Sequence, residues 1–448
     1  MTTRLLAALL SGAMALSLTS ATALAAPLET TRAGAISAGP GSAARPVAKL
    51  ARDIAYRSWT STADFATGAH QGTAASQGGL ILARATGTTS YVDPFGDGRA
   101  RTYDQASWIS PTVRPGFGLT ELIASWTADT PAGTWIEVAA SGQTNQGNTS
   151  KWYVLGRWGA GDDTSKGDIH RTSLPGQRDT NGTVAVDTFV AASGRSLTDW
   201  RLRVTLYRLA GTTAAPVVRS VGAVASRLPS TSTVPVSGSG GAWGQTLNVP
   251  TYSQETHIGH YPQWDNGGEA WCSATSTAMV LDYFGAGPTA AETAWVDPAD
   301  ADPQVDHAAR MVFDYAYDGA GNWPFNTAYA GTRGLDAFVT RLRSLTEAEA
   351  FIRAGIPLIA SLSFESKDLD GAGYGTNGHL MVIVGFAPNG DVIVNDPASH
   401  LIPSNDQVRF TYNRAQFENA WLPHSGGLTY VIHPTTRPLP PAPPQSNW

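Results

Sequence analysis

The sequence predicts a multidomain chain: an N-terminal all-β sandwich, a Ser/Gly/Pro linker, and a C-terminal domain of mixed helix and strand. Three observations carry this. The chain has 448 residues, more than one compact core organises, so two or three domains are expected. Between residues 51 and 228 the apolar residues fall in short runs separated by polar turns, the mark of β-structure. Residues 246–435 mix helical and strand periodicities.

The first 25 residues read as a secretory signal. Arg4 supplies the positive end, Leu5 to Leu18 form a 14-residue apolar core, and Ala23-Leu24-Ala25 offers small residues for cleavage. That core is short for a membrane span, which needs about 20 residues, and no later segment approaches that length. Residues 26–50, rich in Ala, Gly, Ser and Thr, read as a flexible leader. A soluble, secreted protein without a membrane span is expected. Hydrophobic content of 42% suffices for globular folding, and charged residues make up only 15%, below the average of about a quarter. Loss of Arg4 with the leader takes the formal charge from −6 to −7. A mildly acidic chain argues against nucleic acid as a partner.

In the first domain, Thr134–Val138, Lys151–Leu155 and Thr183–Val186 are short runs rich in β-branched and aromatic residues. From Trp200 to Tyr207 the alternation is complete: Trp200, Leu202, Val204 and Leu206 share one face, and Arg201, Arg203, Thr205 and Tyr207 the other. This is the pattern of a half-buried antiparallel strand, and several such strands predict a β-sandwich (51–228). Trp135, Trp152 and Trp158, with the acidic pair Asp162-Asp163, are candidates for stacking on sugar rings of a cell-wall glycan. Core packing is the competing role for the tryptophans, and an inhibitory pro-domain is a third reading of the whole segment.

Residues 229–245 form the linker, dense in Ser and Gly. The tail, 436–448, carries Pro438-Leu-Pro-Pro-Ala-Pro-Pro444 and should be extended and polyproline-like. Thr346-x-x-Glu349 reads as a capping box for a helix ending at Gly355.

Cys272 is the only cysteine. In an oxidising space a lone thiol has no partner within its own chain, so it is either a small core residue or a reactive group. Gly267-Gly268 break the chain before it, and Gly285 follows the apolar series Ala278, Leu281, Phe284. These limits predict a helix with Cys272 at its N-terminus. Unpaired N–H groups and the positive end of a helix stabilise a thiolate and a developing oxyanion.

His379 opens His-Leu-Met-Val-Ile-Val-Gly-Phe386, a strand-like run, and Ala387-Pro-Asn-Gly-Asp391 signals a hairpin. The return strand Asp391–Asn395 delivers Asp396, and Pro397 ends regular pairing. With Pro388-Asn389 as the loop, Asp396 lies opposite Met381. It then shares a face with His379 at an offset of about 6–7 Å. With Asn389-Gly390 as the loop the offset grows to about 13 Å, out of hydrogen-bond reach. The first register is expected. Cysteine, histidine and carboxylate in this order are the parts of a thiol nucleophile with an oriented base, which predicts a cysteine peptidase.

An oxyanion needs a further donor, and Gln254 and Gln263 both precede the cysteine. Trp271, Tyr374 and Gly378 are expected to contact substrate, with Trp264 and Trp323 as further aromatic candidates. His257 and His260 with Asp265 are conceivable metal ligands but read as solvated loop residues, so neither a metal nor a cofactor is expected.

The ordered set Val249-Pro-Thr-Tyr-Ser-Gln254, a cysteine opening a helix that ends Tyr283-Phe-Gly, Gly378-His379, and Asn395-Asp396-Pro397 resembles the bacteriocin-leader-processing peptidases. More closely, it is similar to their stand-alone, secreted relatives among the papain-like cysteine peptidases. The resemblance covers about 190 residues, 246 to 435. It implies a papain-like α+β domain with Cys272 as nucleophile, His379 as base, Asp396 as orienter and Gln254 as oxyanion glutamine. One departure stands out: glutamine and cysteine are 272 − 254 = 18 residues apart, against a few residues in the transporter-linked members. Residues 255–268 are an insertion by that comparison.

The expected activity is hydrolysis of peptide bonds in a peptide or protein substrate by a monomer. Two alternatives stay open. The same thioester serves an amidase or acyltransferase acting on cell-wall peptides, and a degenerate site would leave a surface-binding or glycan-binding protein.

Overall fold

The computed structural model describes residues 52–448; the expected signal peptide (1–25) and leader (26–50) lie outside them. The period-2 pattern of the first half folds into two antiparallel sheets packed face to face. In spatial order across the first sheet, Gly182–Ala185 pairs with Thr188–Ala191, then Glu121–Asp129, Val217–Arg227, Gly79–Leu82 and Thr73–Ser76. The second sheet runs Ala69–Gln71, Ala100–Ile109, Arg201–Leu209, Thr134–Ser141, Tyr153–Trp158. Leu202, Val204 and Leu206 point into the core as their alternation requires, beside Trp59, Trp108 and Trp200. Their outward neighbours are less open than the pattern implies. Tyr207 stacks on Trp135 with ring centroids 3.7 Å apart, and Tyr103 and Ile169 complete a small second cluster. Trp135 and Trp158 are therefore packing residues, and Trp152 is covered by Arg201 and Arg203. The strand expected from Lys151 begins at Tyr153 and extends to Trp158.

The second half is built on one antiparallel sheet. Its main strands are β1 (Asp336–Arg341), β2 (Leu358–Phe364), β3 (Thr376–Phe386), β4 (Val392–Asn395), β5 (Arg409–Tyr412) and β6 (Leu428–His433), in spatial order β1-β6-β2-β3-β4-β5, with the short strand Gln245–Thr246 paired along β3. Helices α1 (Cys272–Tyr283), α2 (Pro303–Val312) and α3 (Trp323–Thr332) belong to the core on one face, with Leu380, Val382 and Val384 of β3. Helices α4 (Leu345–Arg353) and α5 (Arg414–Ser425) belong to the other, with Met381 and Ile383. Alternate residues of β3 thus serve two cores, so its run is apolar throughout rather than alternating.

The two halves share apolar contacts. Phe325 of α3 sits between Trp126 (6.2 Å) and Trp158 (5.4 Å) of the sandwich. Asp162 binds Arg310 of α2 through both oxygens, at 2.9 and 3.1 Å, which is the role of one member of the acidic pair. The Asp187 carboxylate accepts the Trp323 N–H at 2.9 Å.

Three segments make contacts that local pattern did not show. The linker is docked on the second domain: Val234 N–H donates to Asn419 Oδ1, Ser237 N–H to Glu418, and Gly240 and Ala242 N–H to Glu349. Glu349 is therefore no capping-box residue. It is fully buried, paired with Arg414 at 2.9 Å, and spent on the linker backbone, while Ser344 is the cap residue. The tail also folds back: Ser446 O accepts the Tyr56 N–H, and the Trp448 ring lies 4.9 Å from Phe351. Among the described residues no helix is long and apolar enough to cross a membrane.

Candidate active site

Cys272 is the first residue of α1, partly buried and not disulfide-bonded. The helix forms because its small and apolar residues, Ala274, Ala278, Met279, Val280 and Leu281, are buried together, and Gly285 adopts the left-handed φ of +67° that ends it. Trp271 caps it as a buried post whose Nε1 donates to the Trp264 carbonyl at 2.7 Å. Ser276 Oγ, one turn on, donates to the Leu380 carbonyl at 3.1 Å. That bond ties the cysteine-bearing end of α1 to the strand residue next to His379.

The β3–β4 hairpin delivers His379 and Asp396 by an irregular route. Its loop has three residues, Pro388-Asn389-Gly390, closed by Ala387 N–H to Asp391 O at 2.9 Å. This replaces the expected two-residue loop, since Gly390 at φ +90° permits the wider turn. Phe386 then pairs with Val392, one residue out of the expected register. A bulge between Ile383 and Gly385 restores it, so that Ile383 faces Val394 and Val382 faces Asn395. Gly385 is needed there, because a Cβ would lie 2.3 Å from the Gln245 carbonyl of the short strand that pairs with β3. Continued one step, the restored register sets Asp396 opposite Met381, as the hairpin argument expects.

His379 Nε2 lies 2.8 Å from Asp396 Oδ1. Asp396 is fully buried and also accepts from Tyr374 OH (3.0 and 2.9 Å), Tyr412 OH (2.8 Å) and the Ala398 N–H (3.1 Å). Burial acts to protonate this carboxyl, but the His379 charge and these donors outweigh it and hold it below the usual carboxylate range. Burial likewise acts against a charge on His379. The Asp396 carboxylate and the Cys272 sulfur, as a charge and as a hydrogen-bond partner, overcome it and raise the imidazole to about 10.

Cys272 and His379 open onto one cavity of about 620 Å³. Its walls include Gln254, Glu255, Glu269, Trp323, Tyr374 and Gly378, and none of its lining residues comes from the sandwich. Burial, and then the charge of Glu269, push the Glu255 carboxyl up. A thiol, an imidazole and a buried carboxylate so arranged can move the thiol proton onto the imidazole and expose a thiolate to a bound carbonyl.

Family models match both halves of the sequence. One described as Peptidase C39 N-terminal domain matches residues 55–226, and one described as Peptidase C39 like family matches residues 246–428. The chain belongs, over residues 246–428, to the C39-like peptidase family. A solved structure of a proposed C39-like peptidase from Bacillus anthracis is similar at 18% identity, covering 42% of this chain and 96% of that one, with a TM-score of 0.26. No curated protein matches the chain.

Within the C39-like domain the structure brings together Cys272, His379, Asp396 and Gln254. Gln254 Nε2 donates to the Glu269 carbonyl at 2.7 Å, and its Oε1 has no partner. Gln263 is exposed and away from the cavity wall, so only Gln254 of the two lies near the thiol. Gly378 and Trp323 line the cavity as expected. Tyr374 does so too, but its hydroxyl is committed to Asp396. Trp271 is a correction: its side chain is wholly buried and absent from the cavity wall, because the indole packs under α1. Trp264 likewise lies in the core, with Arg310 over its ring. His257 is a further correction, being fully buried rather than solvated, and its carboxylate neighbour is Asp306, not Asp265. Residue spacing gave no sign of Tyr412, which comes from a third strand. Glu255 and Glu269 were within reach, as acids adjoining residues already singled out.

Proposed function

We propose that this chain is an active, papain-like cysteine peptidase. Cys272 passes its thiol proton to His379, and the thiolate attacks the carbonyl carbon of a peptide bond. The oxyanion is met by the Gln254 side-chain amide and the first N–H groups of α1. His379 returns the proton to the departing amine, leaving a thioester. Water, deprotonated by His379, then cleaves the thioester to a carboxylate and the free thiol. Asp396 orients the imidazole throughout. The observation that carries this reading is that His379, bonded to buried Asp396, shares one cavity with a thiol at a helix N-terminus.

Membership in a peptidase family supports a peptide or protein substrate. The signal-like residues 1–25 support action outside the cell, and N-terminal sequencing of the exported protein should find it processed after Ala25. Activity is tested with Cys272→Ala against a peptide library read by mass spectrometry. The wild type should release new termini and the variant none; cleavage by the variant would reject the mechanism.

A further inference from the structure

We infer that His257, His260 and Asp306 form a binding site for a divalent transition-metal ion of the zinc type, behind the wall of the cleft. Among the described residues these three alone converge as a His/Asp group able to hold a metal, their ligand atoms all lying within 4.8 Å of one another. His257 Nδ1 is 3.1 Å from Asp306 Oδ2, and His260 Nδ1 is 3.1 Å from Asp306 Oδ1.

A plain ion pair does not account for this cluster. His257 is fully buried, yet neither of its ring nitrogens makes a hydrogen bond, and Asp306 Oδ2, also buried, makes none. At 3.1 Å the two face each other with no hydrogen bond between them. Buried polar atoms left so are rare, and each costs about 1–3 kcal/mol. Metal coordination satisfies them. Bonds of about 2.0–2.2 Å to nitrogen and oxygen in a tetrahedron set neighbouring ligand atoms about 3.3 Å apart, near the 3.1 Å from each imidazole to its own Asp306 oxygen, a spacing from which the carboxylate can bind through either oxygen or both. Two imidazoles and one carboxylate suit zinc-like ions better than calcium or magnesium.

The surroundings of His260 point the same way. Its other nitrogen, Nε2, lies 3.3 Å from Asp300 Oδ1. A metal-bound histidine usually donates its second N–H to a carboxylate, which fixes the tautomer. Asp300 occupies that position. Gly268 makes room for the loop: a Cβ there would meet the His257 backbone within 2.6 Å.

Both histidines lie in the insertion 255–268, and Asp306 lies on α2. A bound ion would join the insertion to a helix and steady two features of the cleft. Gln254 is three residues before His257, and the Trp271 ring that caps the cysteine helix is 6.0 Å from the His257 ring. The ion is structural in this account and takes no part in the peptide-bond chemistry.

The test uses the tag-free full chain with Cys272→Ala, so that the thiol cannot compete for metal. After chelation and desalting, Zn2+ is titrated by calorimetry and Co2+ by absorption. One tight equivalent of Zn2+ is expected, with a rise in unfolding temperature that saturates at that equivalent. Co2+ should give the visible ligand-field bands of a low-coordinate nitrogen/oxygen site. Adding His260→Ala, a change at a partly exposed position, should abolish both. Zn2+ uptake that His260→Ala leaves unchanged would overturn the proposal, as would the absence of stoichiometric binding and of cobalt bands in Cys272→Ala. These outcomes are independent of peptidase activity.

Discussion

Asp396 holds the His379 imidazole at 2.8 Å while the hydroxyls of Tyr374 and Tyr412 and the Ala398 N–H also donate to it. Four elements meet at this carboxylate: β3, the segment after β4, the residues before β3, and β5. Its orientation is over-determined, as positioning a general base requires.

Replacing Asp396 with Asn should leave the shape of the site and remove the charge that sustains the imidazolium. We expect kcat/KM to fall on the order of 10²–10⁴-fold. Alkylation of Cys272 by iodoacetamide near neutral pH should slow in parallel, and should slow further in His379→Ala. Unchanged alkylation in both variants would mean that the thiol is not activated by this pair.

Stability should depend on pH through the same residues. The folded pKa of His379, about 10, lies above its ordinary 6.5. Its contribution is then full below pH 6.5 and lost as pH rises toward 10. Asp396 is shifted down, so its contribution is present above the ordinary carboxylate range and lost on acidification through its lowered pKa. Urea midpoints of wild type and His379→Gln should therefore converge as pH rises from 6.5 to 10. A constant gap across that window would refute the raised pKa.

Gln254 and Gln263 offer a paired comparison. Gln254→Ala should lower kcat on the order of 10²–10³-fold with little change in KM, the pattern for loss of one oxyanion donor. Gln263→Ala, at an exposed position off the cavity, should change neither. Equal effects would assign the donor elsewhere.

Glu349 should govern stability rather than turnover. It is fully buried, pairs with Arg414 and accepts the linker N–H groups of Gly240 and Ala242. Glu349→Ala strands the Arg414 charge, and loss of one partner from a buried pair typically costs about 3–5 kcal/mol. Urea unfolding measures this, and a change under 1 kcal/mol would show that the linker is not anchored there.

Much of the architecture was legible in local periodicity. The alternation from Trp200 to Tyr207 marks a strand whose even-numbered side chains fill the sandwich core. The glycines at 267, 268 and 285 mark the limits of the Cys272 helix, because chain direction and backbone freedom are local properties. The hairpin was legible only in outcome. Its loop is a residue longer than expected, and the Val384 bulge, set by the approach of Gln245 to Gly385, returns Asp396 to the expected register.

Residue order alone implies that a single thiol begins a helix, that His379 and Asp396 belong to one hairpin, and that β-structure comes first. Those features follow from side-chain period, turn chemistry and cysteine count, which act over a few residues. It takes the folded chain to show that Trp271 is buried, that Glu349 anchors the linker, that Tyr412 reaches Asp396, and that His260 meets Asp306 46 residues away. Each of these depends on which elements pack together. A buried polar or aromatic group takes its partner from whatever the fold brings within a few ångströms, not from its neighbours along the chain.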